Sequence, residues 1–229
     1  MAAARFTGFP AETFAFLAAL ARHNDRDWFE AHRDEYDEAC VAPTLAFIAA
    51  VGPRVKALGP GIRFEASLGG SLLRIHRDLR FVRDAKPYKD YLDVWFWRGE
   101  NKGRDAPSFG VRLHADRVVV GAGIRHLEGE QLVAYREAVH EERRGRRLAA
   151  MVSTLCDRGR YQLAGKELTR VPSVFGAEHP RADLLRRTGL FVCRDGPVPK
   201  SAGTARFADE CMEHFATIAP VCKWLAAVD

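Results

Sequence analysis

Apolar residues along the first 58 positions recur with the period of a helix. Phe14, Leu17 and Ala21 stand three and four apart, a spacing that lines one face of an α-helix. Pro10 suits a first helical position, and Glu12 falls in the first turn, where the helix dipole favours an acid. Asn24 or Asp25 can cap a second helix that carries Trp28, Phe29, His32 and Tyr36. A third helix carries Leu45, Ile48, Gly52 and Val55. It is entered at Pro43, kinked at Pro53 and stopped by Gly59-Pro60-Gly61.

From residue 62 the period shortens to two. Residues 62–65 and 73–76 alternate, residues 94–97 are aromatic-rich, and 109–113 can pair with 118–122 through a turn at Ala115-Asp116. Trp95 and Trp97 then share one face of a strand, as buried or interface packing or as a stacking platform for bases. Short strands in succession, without helices between them, pair mostly antiparallel. The helical period returns at 128–157, and brief strands are expected near 161–168 and 190–194. A final helix carries Phe207, Cys211, Phe215, Ile218, Cys222 and Leu225 on one face, with Pro220 bending it. This order predicts an α+β fold: N-terminal helices, a central mainly antiparallel sheet, and a C-terminal helix packed on the sheet. With no linker or repeat to divide the chain, residues 1–229 are expected to form one domain.

Composition narrows the picture in a few places. At 229 residues and 47% hydrophobic, the chain is long enough for a substantial core. The 35 basic and 30 acidic residues give a net charge of +5, which permits an acidic partner and demands none. The five cysteines, Cys40, Cys156, Cys193, Cys211 and Cys222, form no Cys-x-x-Cys pair. Reduced thiols, no structural metal, no cofactor and a cytoplasmic location are the expectation. The apolar stretch from residue 13 to 21 resembles a signal segment, but Pro10 and Glu12 interrupt its start. No apolar run approaches the ~18 residues that cross a bilayer, so a membrane partner is not expected. A P-loop, a dinucleotide fingerprint, a nucleophile elbow and a His-Glu-x-x-His motif are all missing.

One segment is chemically dense. Residues 74–91 place basic side chains at Arg74, Arg77, Arg80, Arg83, Lys86 and Lys89, every third position, with Asp78, Asp84 and Asp90 six apart. That period belongs to neither helix nor strand, and Pro87 pushes Lys86 away from helix geometry. A turning connection can aim several cations at one point. Arg offers a planar fork for carboxylate or phosphate, Tyr88 a hydroxyl donor, and His76 a proton near neutral pH. The expected anion site is therefore Arg74, His76, Arg77, Arg80, Arg83, Tyr88 and Lys89, with Asp78 and Asp84 behind them orienting the arginines. Its ligand would be a small anion, such as a phosphorylated metabolite or nucleotide. The bland alternative is that the aspartates pair with neighbouring arginines and pin the loop to the sheet.

Two other functional classes stay open. A nucleic-acid-associated protein would draw on the pI of about 9.1 and on the arginines at 143–147, 158–160 and 181–187. Acids interrupt every basic cluster, however, so weak and salt-sensitive binding is the most expected of it. The run Glu141-Glu142-Arg143-Arg144-Gly145-Arg146-Arg147 suits a solvated helix junction or a phosphate contact. A hydrolase or transferase would use His76 with Asp78 or Asp84.

The same peptides carry a resemblance. Phe6-Thr7-Gly8-Phe9-Pro10, Phe16-Leu17, Asn24 and Trp28-Phe29, then Arg74-Ile75-His76-Arg77-Asp78, Arg80-Phe81-x-Arg83-Asp84 and Pro87-Tyr88-Lys89, resemble the family known as domain of unknown function 2461. A weaker likeness continues through His179-Pro180 and Leu184-Leu185. Ala85 and Lys86 stand where the family pattern has a lysine and a small polar residue, and Asp90 and Tyr91 where it has Thr and then His or Asn. The resemblance implies a domain spanning nearly the whole chain. It implies no activity, so the function must come from the site.

Overall fold

The fold is seen in a computed structural model that describes residues 5–78, 86–100, 102, 106–157 and 159–228. The N-terminal third is helical: α1 (Ala11–Arg22), α2 (Arg26–Ala31), α3 (Arg33–Tyr36), a π-helical stretch (Asp37–Val41) and α4 (Ala42–Lys56). Asp25 caps α2 by accepting the Trp28 amide at 2.9 Å, which leaves Asn24 for another task. Residues 33–56 thereby run as one helical stretch of 24 residues. By length and composition alone it is long and apolar enough to cross a bilayer, as a core helix can also be. Half of its most apolar window is buried inside the fold. Phe47 alone meets Phe6 at 5.3 Å, Phe9 at 5.7 Å and Phe207 at 5.6 Å between ring centres.

Six strands follow in chain order: β1 (Ile62–Arg63), β2 (Tyr91–Arg98), β3 (Ser108–His114), β4 (Arg117–Ile124), β5 (Gln162–Ala164) and β6 (Leu190–Pro197). They form one sheet in the order β1-β2-β3-β4-β6-β5, antiparallel throughout. The helices α5 (Gly129–His140), α6 (Glu142–Cys156) and α7 (Ala182–Leu185) fill the connections, and α8 (Arg206–Leu225) closes the chain. Alternation sends Leu92, Val94 and Phe96 to the face that α8 covers, where Phe215 packs edge-on against Phe96 and Phe109. Cys211 and Cys222 are buried there, and burial raises both thiol pKa values, Cys222 to about 12. They behave as small apolar side chains.

The opposite face has its own buried cluster of Trp95, Trp97, Phe191 and Cys193. Gly110 and Gly121 make room for it. A Cβ at Gly110 would stand 3.0 Å from the Trp95 ring, and one at Gly121 would stand 2.6 Å from the Phe191 ring. Both indoles are therefore buried, as the packing alternative for these two rings expects.

One strand expectation differs. Residues 73–76 form no ladder of their own. Leu72 bridges to Val94 on the β2 edge, and the chain then changes partner, bridging His76 to Tyr88. The Arg77 amide donates to the Pro87 carbonyl and the Lys89 amide to the Ile75 carbonyl, each at 2.8 Å. Alternation survives, but no single neighbouring strand runs long enough to make a β-strand of it.

Candidate functional site

The two arms of the dense segment, 74–78 and 86–90, lie side by side through those backbone bonds. The N-terminal helices hold them. Asn24 acts as a short piece of strand: its Oδ1 accepts the Tyr88 amide at 3.0 Å and its Nδ2 donates to the Tyr88 carbonyl at 3.1 Å. Lys86 adds a bond from Nζ to the Ala21 carbonyl at 2.6 Å. Tyr88 is thus buried and stacked on Phe29 of α2, with centroids 4.2 Å apart and planes at 22°. Desolvation raises its pKa.

The expected site residues divide accordingly. Arg77 Nε donates to the Tyr88 carbonyl at 2.9 Å, and its guanidinium lies 3.7 Å from Asp90. Lys89 Nζ donates to the Arg74 carbonyl at 2.7 Å. Those two cations and Tyr88 hold the arms together. Asp78 is exposed. Arg80, Arg83 and Asp84 lie outside the described residues. Arg74 and His76 turn the other way, into a cavity of about 300 Å³ shared with Phe29, Arg33, Tyr36, Asp37, Leu68 and Ile75.

Aromatic side chains support this cavity. Phe29 is buried, with Tyr36 at 5.3 Å and the His76 ring edge-on at 5.9 Å. The Arg33 guanidinium stands 5.6 Å from the Phe29 centroid and grips Glu30 through two bonds of 2.9 and 3.0 Å. That hydrogen-bonded pair lowers the Glu30 pKa and spends the Arg33 charge locally. Arg74 differs: among the described residues no acid pairs with it. Its side chain lies over Gly69, where φ is +80° and a Cβ would come within 3.4 Å of Arg74 Nε. Leu68 is half-exposed on the wall.

Tyr36 supplies the least ordinary group. It is 2% exposed, yet its hydroxyl has no hydrogen-bond partner among the described residues. Burial drives its pKa far above the ordinary phenol value, so it remains a neutral O–H donor. A buried donor without an acceptor is uncommon, because its desolvation goes uncompensated.

The arrangement thus offers an apolar aromatic wall, a cation with no acid partner, an imidazole and an orphan donor. Nothing in it resembles a nucleophile held by a base. Among the described residues no three His, Cys, Asp or Glu side chains gather in a metal-binding group. Tyr36 is legible in the sequence as part of a helix face, whereas Arg33, Asp37 and Leu68 are not singled out by it. The spacing Phe29, Arg33, Tyr36, one helical face at steps of four and three, is the signal that was available for Arg33.

Compared with known proteins, the chain matches a family profile described as conserved hypothetical protein (DUF2461) over residues 12–224, nearly its whole length. No curated protein matches it.

Proposed function

We propose that this chain, which belongs to the DUF2461 family, is a binding domain for a small anionic metabolite. The family description names no reaction, so the reading rests on the cavity. One observation carries it: Arg74, without an acid partner among the described residues, shares a cavity of about 300 Å³ with a buried Tyr36 hydroxyl that has no acceptor. The volume lies at the small end of known ligand sites. The anionic group meets Arg74 and His76. The body of the ligand lies against Phe29, and an acceptor on it satisfies Tyr36. A fork of donors and an aromatic face favour a planar, oxygen-bearing acid over a bare halide.

The test is a thermal-shift panel of phosphate, sulfate, nucleotides, dicarboxylates and aromatic carboxylates on wild type and Arg74→Ala. A ligand raises stability with the logarithm of its concentration over its Kd. At least one organic anion is expected to raise the wild-type Tm and to lose most of that rise in Arg74→Ala. A panel in which no compound separates the two proteins refutes the reading and leaves the segment a structural clasp.

A further inference from the structure

We propose a second, separate site: the groove between the start of α6 and the end of α8 binds an oligophosphate, a ligand with at least two closely spaced phosphate groups. The groove measures about 480 Å³ and is lined by Glu141, Arg143, Arg144, Arg147, Lys223 and Trp224. Arg143 and Arg147 are one helical turn apart on α6, and Lys223 faces them from α8. Among the described residues none of these three has an acid within ion-pair distance. Their neighbours contrast with them. Arg146 and Arg181 both pair with Glu142, Arg186 pairs with Asp183, and Arg194 with Glu210. Like charges four apart on a helix repel, and with Glu141 the one acid in the lining, an anion here relieves that repulsion.

The helix terminus itself is already satisfied. Glu141 takes the Arg143 and Arg144 amides on its two oxygens, each at 2.8 Å, and those bonds hold its pKa low. A ligand therefore meets side chains and not free amides. Arg144 is also committed: it donates to the Ala227 carbonyl at 2.9 Å, and Trp224 donates its indole N–H to the Arg144 carbonyl at 3.0 Å. Arg144 and Trp224 form a fixed wall, and Arg143, Arg147 and Lys223 are the groups with charge to spend. Three cations from two helices exceed what one oxyanion uses, and the arginine fork matches phosphate oxygens two at a time. The groove is compact. Arg54 and Arg117, elsewhere on the surface, are tied to Asp209 and Asp195.

The experiment is calorimetric titration of the full chain with inorganic tripolyphosphate, with phosphate, sulfate and a short single-stranded oligonucleotide as comparators. It is run on wild type, Arg143→Gln/Arg147→Gln, Lys223→Gln and Arg63→Gln. These side chains are solvent-exposed, and circular dichroism checks each fold. Tripolyphosphate is expected to bind at least tenfold more tightly than phosphate. The double variant should lose at least tenfold, Lys223→Gln a smaller factor, and the exposed Arg63→Gln, outside both cavities, nothing. The proposal is overturned if phosphate binds as well as tripolyphosphate, if the double variant binds like wild type, if Arg63→Gln weakens binding as much as the double variant, or if the oligonucleotide binds more tightly. Arg143, Arg147 and Lys223 lie outside the Arg74 cavity, so failure here leaves that reading standing, and the reverse.

Discussion

At the scale of single residues, Tyr36 separates a structural role from a functional one. Its hydroxyl is buried without a partner among the described residues. Removing such a group removes an uncompensated desolvation, whereas removing a bonded one leaves its partner orphaned. Tyr36→Phe is therefore expected to unfold at the same urea midpoint as wild type or higher, a gain of up to about 1 kcal/mol. The same variant should lose ligand-induced stabilisation. A drop of stability beyond about 1 kcal/mol would mean that the hydroxyl has a structural partner. Asn24 makes the opposite case. Both ends of its amide bond the Tyr88 backbone, and Asn24→Ala leaves the Tyr88 N–H without a partner and its C=O with Arg77 Nε alone. A loss of roughly 1–3 kcal/mol in denaturant unfolding is expected, with Asn24→Asp recovering part of it because one oxygen still accepts the amide.

At the scale of elements, the junction of α5, α6 and α7 hangs on one buried side chain. Helix α5 ends with carbonyls that have no partner inside the helix. Arg181, 8% exposed, reaches back to them: Nε donates to the Val139 carbonyl at 2.8 Å and a terminal nitrogen to the His140 carbonyl at 2.9 Å. A cation suits a helix C-terminus. Gly145 of α6 lets this happen, since a Cβ there would stand 2.0 Å from the Val139 oxygen and 2.7 Å from Arg181 Nε. Arg181→Lys keeps the charge and loses the fork, and should cost about 2–4 kcal/mol in urea unfolding. An unchanged midpoint would show that the carbonyls find other donors. This junction also marks where legibility ended. Helices 128–157 and the 109–122 hairpin were readable because their signals are local: one-face apolar periodicity and a two-residue turn. Arg181 was one arginine among many, because its role depends on carbonyls some forty positions earlier in the chain. The cavity failed to show for the same reason. The segment 74–91 was identified by its charge, yet Arg77 and Lys89 are spent on backbone carbonyls, and Phe29, Arg33 and Tyr36 arrive from α2 and α3 through the Asn24 clamp. Spacing along the chain carries no record of such pairings.

At the scale of the whole molecule, one buried histidine shapes how the fold responds to acid. Desolvation lowers the pKa of His114, His179 and His214, and His214, the one of the three that is buried, falls furthest, to about 4. His214 lies on α8 at 2% exposure, and its Nδ1 shares a hydrogen bond of 2.8 Å with the Tyr161 hydroxyl. Arg194 and Arg160 oppose its protonation, while Glu210, with one oxygen 4.0 Å from Nε2, favours it weakly. Ser201 and Arg194 also bond that carboxylate, which draws its charge away from the ring. The folded state therefore keeps the imidazole neutral where the unfolded chain, titrating near its ordinary value of 6.5, already binds a proton. Above that value the group has no effect on stability. As the pH falls from about 6.5 to about 4, the unfolded state gains the proton first and stability declines. The exposed carboxylates with lowered pKa values, Glu30, Glu141 and Glu142, start from 4.5, so their loss belongs to more acid solution and the two effects separate. Urea unfolding followed from pH 7 to pH 4.5 should show a falling midpoint. In His214→Gln, where the amide oxygen can still accept the Tyr161 hydroxyl, the slope should be shallower by up to about 1.4 kcal/mol per pH unit, the linkage of one proton. Equal slopes in the two proteins would mean that His214 takes up its proton inside the fold, and that the Glu210 carboxylate outweighs burial.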